Sequence, residues 1–186
     1  MIPSKSVLAA LVTTAALAGV AAPAAAQSPA FTAFATVCAT PAADFAEVRK
    51  SADANGWGNT DSKSDADMPG VTIADQLNRA NTVDKVDLVL SAWSGAKGAV
   101  KISDCTVHVA KSDFATLSGD AAAWLAFPAQ ESSATRATYR FTGAGGAHKA
   151  LTSADFDAAA AGAGLEILTV STSANGTVLD LMMIKK

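Results

Sequence analysis

The chain has 186 residues, half of them hydrophobic, with 14 Lys and Arg against 17 Asp and Glu. The slight excess of acid, with no basic cluster, excludes a nucleic-acid binder and offers nothing to an anionic lipid surface. One chain of this length suits a single domain with a sizeable core.

The first segment, MIPSKSVLAALVTTAALAGVAAPAAAQ, has one positive side chain at Lys5, an apolar run from Val7 to Val20, and small residues at Ala24, Ala25 and Ala26. This is the pattern of a secretory signal with an A-x-A cleavage site, and cleavage is expected before Gln27. The run is too short and too Ala-rich for a membrane anchor and has no basic stop-transfer flank. The expected product is a periplasmic or secreted domain, residues 27–186, with no membrane insertion. The Ala-rich composition of an exported chain also suggests a bacterial source. Losing Lys5 leaves 13 basic against 17 acidic side chains, a net charge of −4 with histidine neutral.

Cys38 and Cys105 are the only cysteines. In an oxidising compartment they are expected to form a disulfide. Cys105 and His108 have C-x-x-H spacing, but a structural zinc site usually shows two such pairs. No metal or other cofactor is expected.

Next, in TPAADFAEVRKSADANG, Thr40 is placed to cap a helix and Pro41 to open it; Phe45, Val48 and Ala52 form its apolar stripe and Gly56 ends it. The polar stretch 58–70, containing Asp61, Asp65 and Asp67, reads as a flexible loop beside Trp57. Its acids miss the calcium-loop spacing. In VTIADQLNRA, a short helix is expected, capped by Thr72 with Ile73, Leu77 and Ala80 inward.

The period then changes to two. Val86, Leu88, Leu90 and Ala92 alternate on one strand face, and SGAKG reads as the loop to the next strand. That strand holds Val100 and Ile102, then Cys105, Val107 and Val109, and the change of phase at Ser103 and Asp104 suggests a bulge. A helix follows, capped by Ser112, with Phe114, Leu117, Ala121, Trp124 and Leu125 inward and Pro128 past its end. RATYRFT is a strand with Ala137, Tyr139 and Phe141 inward, and GAGGAHK is read as a flexible loop. Thr152 and Asp155 form a capping box for the last helix, with Leu151 and Phe156 as its hydrophobic staple. The final hairpin turns at Asn175-Gly176 and places Leu168, Val170, Leu179, Leu181 and Met183 on one face.

The expected fold is therefore α+β: a mainly antiparallel sheet of about five strands with three or four helices on one face. The three Asp-Phe pairs, at residues 44, 113 and 155, are helix starts and not a catalytic cluster, because the N-terminal end of a helix favours negative charge.

Chemistry is sparse. The spacing Ser94-x-x-Lys97 matches a penicillin-binding motif, but Ser94 is assigned to a hairpin loop, away from a helix start. His108 shares a strand face with Asp104 at about 13 Å, beyond hydrogen-bond reach. The expected role is non-catalytic binding of a protein, a glycan or a small apolar ligand, with Trp57, Asp61, Asp65, Asp67 and His148 as binding candidates. The alternative is a small periplasmic hydrolase using His108 or His148 with the loop carboxylates.

Overall fold

The protein, as a computed structural model, is described over residues 27–61, 68–144 and 146–186. The leader, Asp65 and Asp67 lie outside the described residues. The first element is a helix that the sequence reading did not assign. It is α1, Pro29–Phe34, continuing as a π-helical turn over Ala35–Ala39. The local signals suit it: the Ser28 hydroxyl accepts from the Phe31 N–H, and Pro29 opens the first turn. Phe31, Phe34, Val37 and Cys38 are fully buried along one side.

α2 covers Phe45–Ala54. Its cap is Asp44 in place of Thr40, with the carboxylate accepting from the N–H groups of Ala46 and Glu47 at 3.1 Å each. The helix closes as a Schellman motif. Gly56, at φ +74°, donates to Asp53, and the Trp57 N–H donates to the Ala52 carbonyl. In α3, Phe114–Leu125, Asp113 likewise takes the capping role assigned to Ser112, accepting from Thr116 N–H at 2.9 Å. The capping box of Thr152 and Asp155 forms as read, on a 3-10 turn leading into α4, Phe156–Ala161. Each Asp-Phe pair is thus a helix start, and two of the three aspartates are the caps themselves.

Among the described residues nine strands form one antiparallel sheet: β1 Gly58–Asn59, β2 Thr72–Val83, β3 Val86–Lys97, β4 Val100–Ala110, β5 Glu131–Ser132, β6 Arg136–Ala144, β7 Ala147–Ala150, β8 Leu165–Ser173 and β9 Gly176–Lys185. Their order across the sheet is β1-β2-β3-β4-β9-β8-β6-β5, with β7 also on β6. The class is α+β with an antiparallel sheet, as expected, but with more strands.

The added strands have identifiable causes. The segment read as a helix from Thr72 is β2, paired with β3 along its length apart from a register shift between Ile73 and Asp75. Its spacing of Ile73, Leu77 and Ala80 imitates a helix, whereas a long ladder of backbone bonds decides for strand. The β2–β3 turn is Asp84-Lys85, both left-handed at φ 49° and 67°, and it lacks the glycine that marks such turns in sequence. GAGGAHK contributes the ends of the β6–β7 hairpin, where Gly143 pairs with His148. SGAKG lies mostly within β3, which runs on to Lys97 opposite Val100. In the last hairpin Ser173 pairs with Gly176, so the tip is Ala174-Asn175, one residue earlier than read. A Cβ on Gly176 would sit 2.0 Å from the Val109 carbonyl oxygen, so no larger residue fits there.

The phase change in β4 is not a bulge, because its register is unbroken against both β3 and β9. It marks a change in which face is covered. Cys105, Val107 and Val109 face the helices, while Ile102 and Asp104 are buried on the opposite face.

The main core joins α1, α2 and α3 to the inward residues of the sheet, among them Leu88, Leu90, Leu168, Leu179 and Leu181. α4 instead packs Ala159 and Ala160 on Leu165, with Ile167 and Ile184 beside them. Those strand residues alternate with Leu168 and Leu181, so α4 covers the other face and the helices are not all on one side.

Cys38 and Cys105 form the expected disulfide, with Cα atoms 5.5 Å apart. It joins the end of the π-helical turn to the middle of β4 across 67 residues. Both cysteines are fully buried. Closing a loop of that length contributes about 4 kcal/mol in the chain-entropy model. The Cys38→Ala/Cys105→Ala protein should therefore lose about 3–4 kcal/mol in urea unfolding relative to the oxidised parent. A loss under about 1 kcal/mol would show that packing alone fixes α1.

Candidate functional site

Cavities at the sheet end near Lys101, Glu166 and Gly143 open beneath the loop that leaves the disulfide. After Cys38 the chain must turn from the sheet centre to the start of α2. It does so through Ala42 and Ala43, both left-handed at φ 51° and 55°. Side chains with a Cβ adopt this region at a cost, roughly 1–2 kcal/mol per residue. Ala42 lines a cavity on either side of the loop. The larger, about 680 Å³, is mostly apolar and bounded by Phe45, Ile102 and Met183, with Lys101 and Lys185 among its lining residues.

The smaller, about 520 Å³, carries the more chemical lining: Thr40, Trp124, Gly143, His148 and Glu166, with Ala39, Ala42 and Gly146. Four elements and the Cys38–Asp44 loop meet there. His148 stands opposite Gly143 in the β6–β7 pair, and Glu166 stands opposite Phe141 in the β6–β8 pair. The β6–β8 ladder ends at Glu166, so Gly143 has no further backbone partner on that side. The Glu166 carboxylate replaces it, with Oε1 accepting from the Gly143 N–H at 2.8 Å. A Cβ at position 143 would lie 2.8 Å from that oxygen, so the approach depends on glycine.

Glu166 is 3% exposed. Burial pushes its carboxyl above the usual range, and the Gly143 hydrogen bond offsets part of that. Its second oxygen makes no hydrogen bond among the described residues. His148 packs on Trp124 with ring centroids 4.1 Å apart and meets Phe141 edge-on at 5.4 Å. Burial pushes the imidazole below its usual range, with the Trp124 carbonyl acting in the opposite sense. The site thus combines a buried carboxylate, an imidazole favoured in its neutral form, an aromatic wall and a lid of small residues.

The other residues singled out from sequence are scattered. Trp57 is 5% exposed and belongs to the core beneath α2. Packing, not recognition, is its visible role. Asp61 is exposed beyond β1, at the sheet edge farthest from β6 and β7, so it does not meet His148. His108 faces away from the helices, and its Nε2 lies 2.8 Å from Ser173 Oγ. Glu166, Trp124 and Gly143 were not singled out as site residues. A usable signal existed, since Glu166 shares strand parity with the buried Leu168 and Val170.

The face without α1 to α3 holds a second buried acid group. Asp104 on β4 and Asp180 on β9 lie diagonally across the strand pair. Burial, and then the Asp180 charge, push the Asp104 carboxyl up to about 9, against hydrogen bonds from Thr106 and Trp93. Asp180 is also raised by burial, and its Oδ1 is enclosed with no donor among the described residues. A hydrogen bond joins the two side chains, raising Asp104 further and lowering Asp180, so the shared proton is held on Asp104. The two carboxyls are therefore a hydrogen-bonded acid and carboxylate. No group of three metal-ligating side chains occurs among the described residues.

Comparison with protein-family models, with curated proteins and with solved structures found no match to this chain.

The acid pair sets a pH dependence with a definite sign. Asp104 titrates near 3.8 when unfolded and about 9 when folded, so the folded protein holds the proton longer. Its contribution is greatest below about pH 4 and is lost as pH rises towards 9. Asp104→Asn still donates to Asp180 and removes this loss. Its stability relative to the parent should rise between pH 5 and pH 9, by roughly 1–3 kcal/mol in urea unfolding; parallel curves would show that Asp104 is ionised in the folded protein.

Proposed function

We propose that the protein is an exported, non-catalytic binding domain whose ligand is a small molecule held in the cavity beneath the Thr40–Asp44 loop. The observation that carries this reading is Glu166: a buried side chain with Oε1 held by the Gly143 N–H and Oε2 opening on a cavity beside His148 and Trp124. Concave sites with a few converging polar groups of shifted pKa are the usual places for small ligands. The strained Ala42-Ala43 turn above the cavity adds support, since backbone strain gathers at ligand clamps. Export is supported by the signal-like leader and the disulfide. No helix among the described residues is long and apolar enough to cross a membrane.

The test is the native mass of the protein recovered from its own compartment. The expected species begins at Gln27, is two hydrogens light, and carries a small-molecule adduct. The adduct should be absent from Thr40→Trp, whose indole fills the cavity mouth from an exposed position. An adduct retained by that variant, or a second protein chain in place of an adduct, would sink the small-ligand reading.

A hydrolase is the second reading, favoured by the His108–Ser173 contact rather than by the loop carboxylates. A serine within 2.8 Å of a histidine ring nitrogen is the first requirement for an activated nucleophile. A fluorophosphonate probe distinguishes the two readings. The binding domain should remain unlabelled; covalent labelling that disappears in Ser173→Ala would establish the hydrolase.

A further inference from the structure

We infer that the ligand of the Glu166 cavity carries an ammonium group, which docks on the free carboxylate oxygen of Glu166 against the Trp124 and His148 wall. The inference rests on the small-ligand reading and goes further by naming the charge the ligand must bring.

The argument begins with what Glu166 lacks. Oε1 is held by a single backbone N–H, while Oε2 opens on the cavity with no donor from the described residues, so its charge is left for whatever enters the cavity to offset. Among the described residues none supplies it with a cation. The four ion pairs of the described residues join Lys50 to Glu47, Arg79 to Asp53, Arg140 to Glu131 and Lys186 to Asp157, and none includes Glu166. No lysine or arginine lines the cavity. His148 is the other titratable group in the lining, and burial favours its neutral form.

The remaining lining suits an ammonium in particular. An indole face attracts a cation through its quadrupole, and more strongly where water is excluded. Trp124 and His148 both line the cavity, their ring centroids 4.1 Å apart, and put aromatic surface beside Glu166. An anionic ligand would meet Glu166 as a like charge. A neutral alcohol would donate one hydrogen bond and leave the charge uncompensated. A primary ammonium supplies three donors as well as the charge, and a methylated one trades donors for aromatic contact. The small residues Ala39, Ala42, Gly143 and Gly146 leave room for the body of such a ligand within about 520 Å³.

The test compares choline and n-butylammonium with 3,3-dimethylbutan-1-ol, the uncharged shape-mate of choline, by NMR titration of the exported chain. The reporters are the Trp124 indole and Gly143 amide signals. Choline and n-butylammonium should move both signals, and choline should bind about tenfold or more tightly than the alcohol. In Glu166→Gln, which keeps an acceptor for Gly143, the folded spectrum should persist and that preference should vanish. Equal binding of choline and the alcohol at these signals would overturn the ammonium inference and leave the cavity reading standing. A charge preference that survives Glu166→Gln would overturn Glu166 as its anchor. Failure of all three probes to move either signal would overturn the cavity reading as well.

Discussion

The disulfide between Cys38 and Cys105 is the constraint on which the arrangement of this molecule depends. It holds the end of the first helix against the centre of β4 and leaves the chain only a short loop in which to reach α2. Both ends of that loop are held, covalently at Cys38 and by the Asp44 capping bonds at α2. Between them Ala42 and Ala43 take left-handed conformations that an unrestrained chain would leave, and the Ala43 N–H returns to the Cys38 carbonyl. The loop so held divides the space at the sheet end into two cavities. A feature that stabilises the fold thereby also shapes its concave surface.

The sheet separates two environments. Towards α1, α2 and α3 it presents Leu, Val and aromatic side chains, and Tyr139 reaches across to donate to the Ser118 carbonyl of α3 at 2.9 Å. On the reverse face, outside the patch beneath α4, polar residues including Asp104, Thr106, Thr169 and Asp180 line adjacent strands. Asp104 is nevertheless 6% exposed, and it is the proton between the two carboxyls that makes this burial tolerable. Glu166 belongs to neither environment. It sits on the apolar face where the β6–β8 ladder stops, so its carboxylate completes the backbone bonding and borders open space at once.

Much of the scaffold was legible locally, because caps and alternating strands are short-range effects. Gly56 ending α2, the Thr152 capping box, the inward faces of β3, β6, β8 and β9, and the pairing of the two cysteines all followed from neighbouring residues or from elimination. The failures had physical causes. β2 carries helix-like spacing and a turn without glycine, so only pairing with β3 reveals it. Thr40 and Ser112 resemble caps, but Asp44, four residues after the first, and Asp113, next to the second, accept the free N–H groups and start each helix later. Ser28-Pro29 was a readable start signal for α1 that composition near the leader obscured.

The sequence by itself determined the α+β class, the disulfide and the positions of most helix starts and strand faces, since each depends on residues adjacent in the chain or on the only two cysteines present. It also singled out His148, through the scarcity of histidine rather than through any partner. Only the tertiary structure decided what surrounds His148. Trp124 comes from α3, Gly143 from β6 and Glu166 from β8, and their meeting depends on strand register and on where a ladder ends. Register is settled by cooperative pairing across the whole sheet, and no local pattern encodes it.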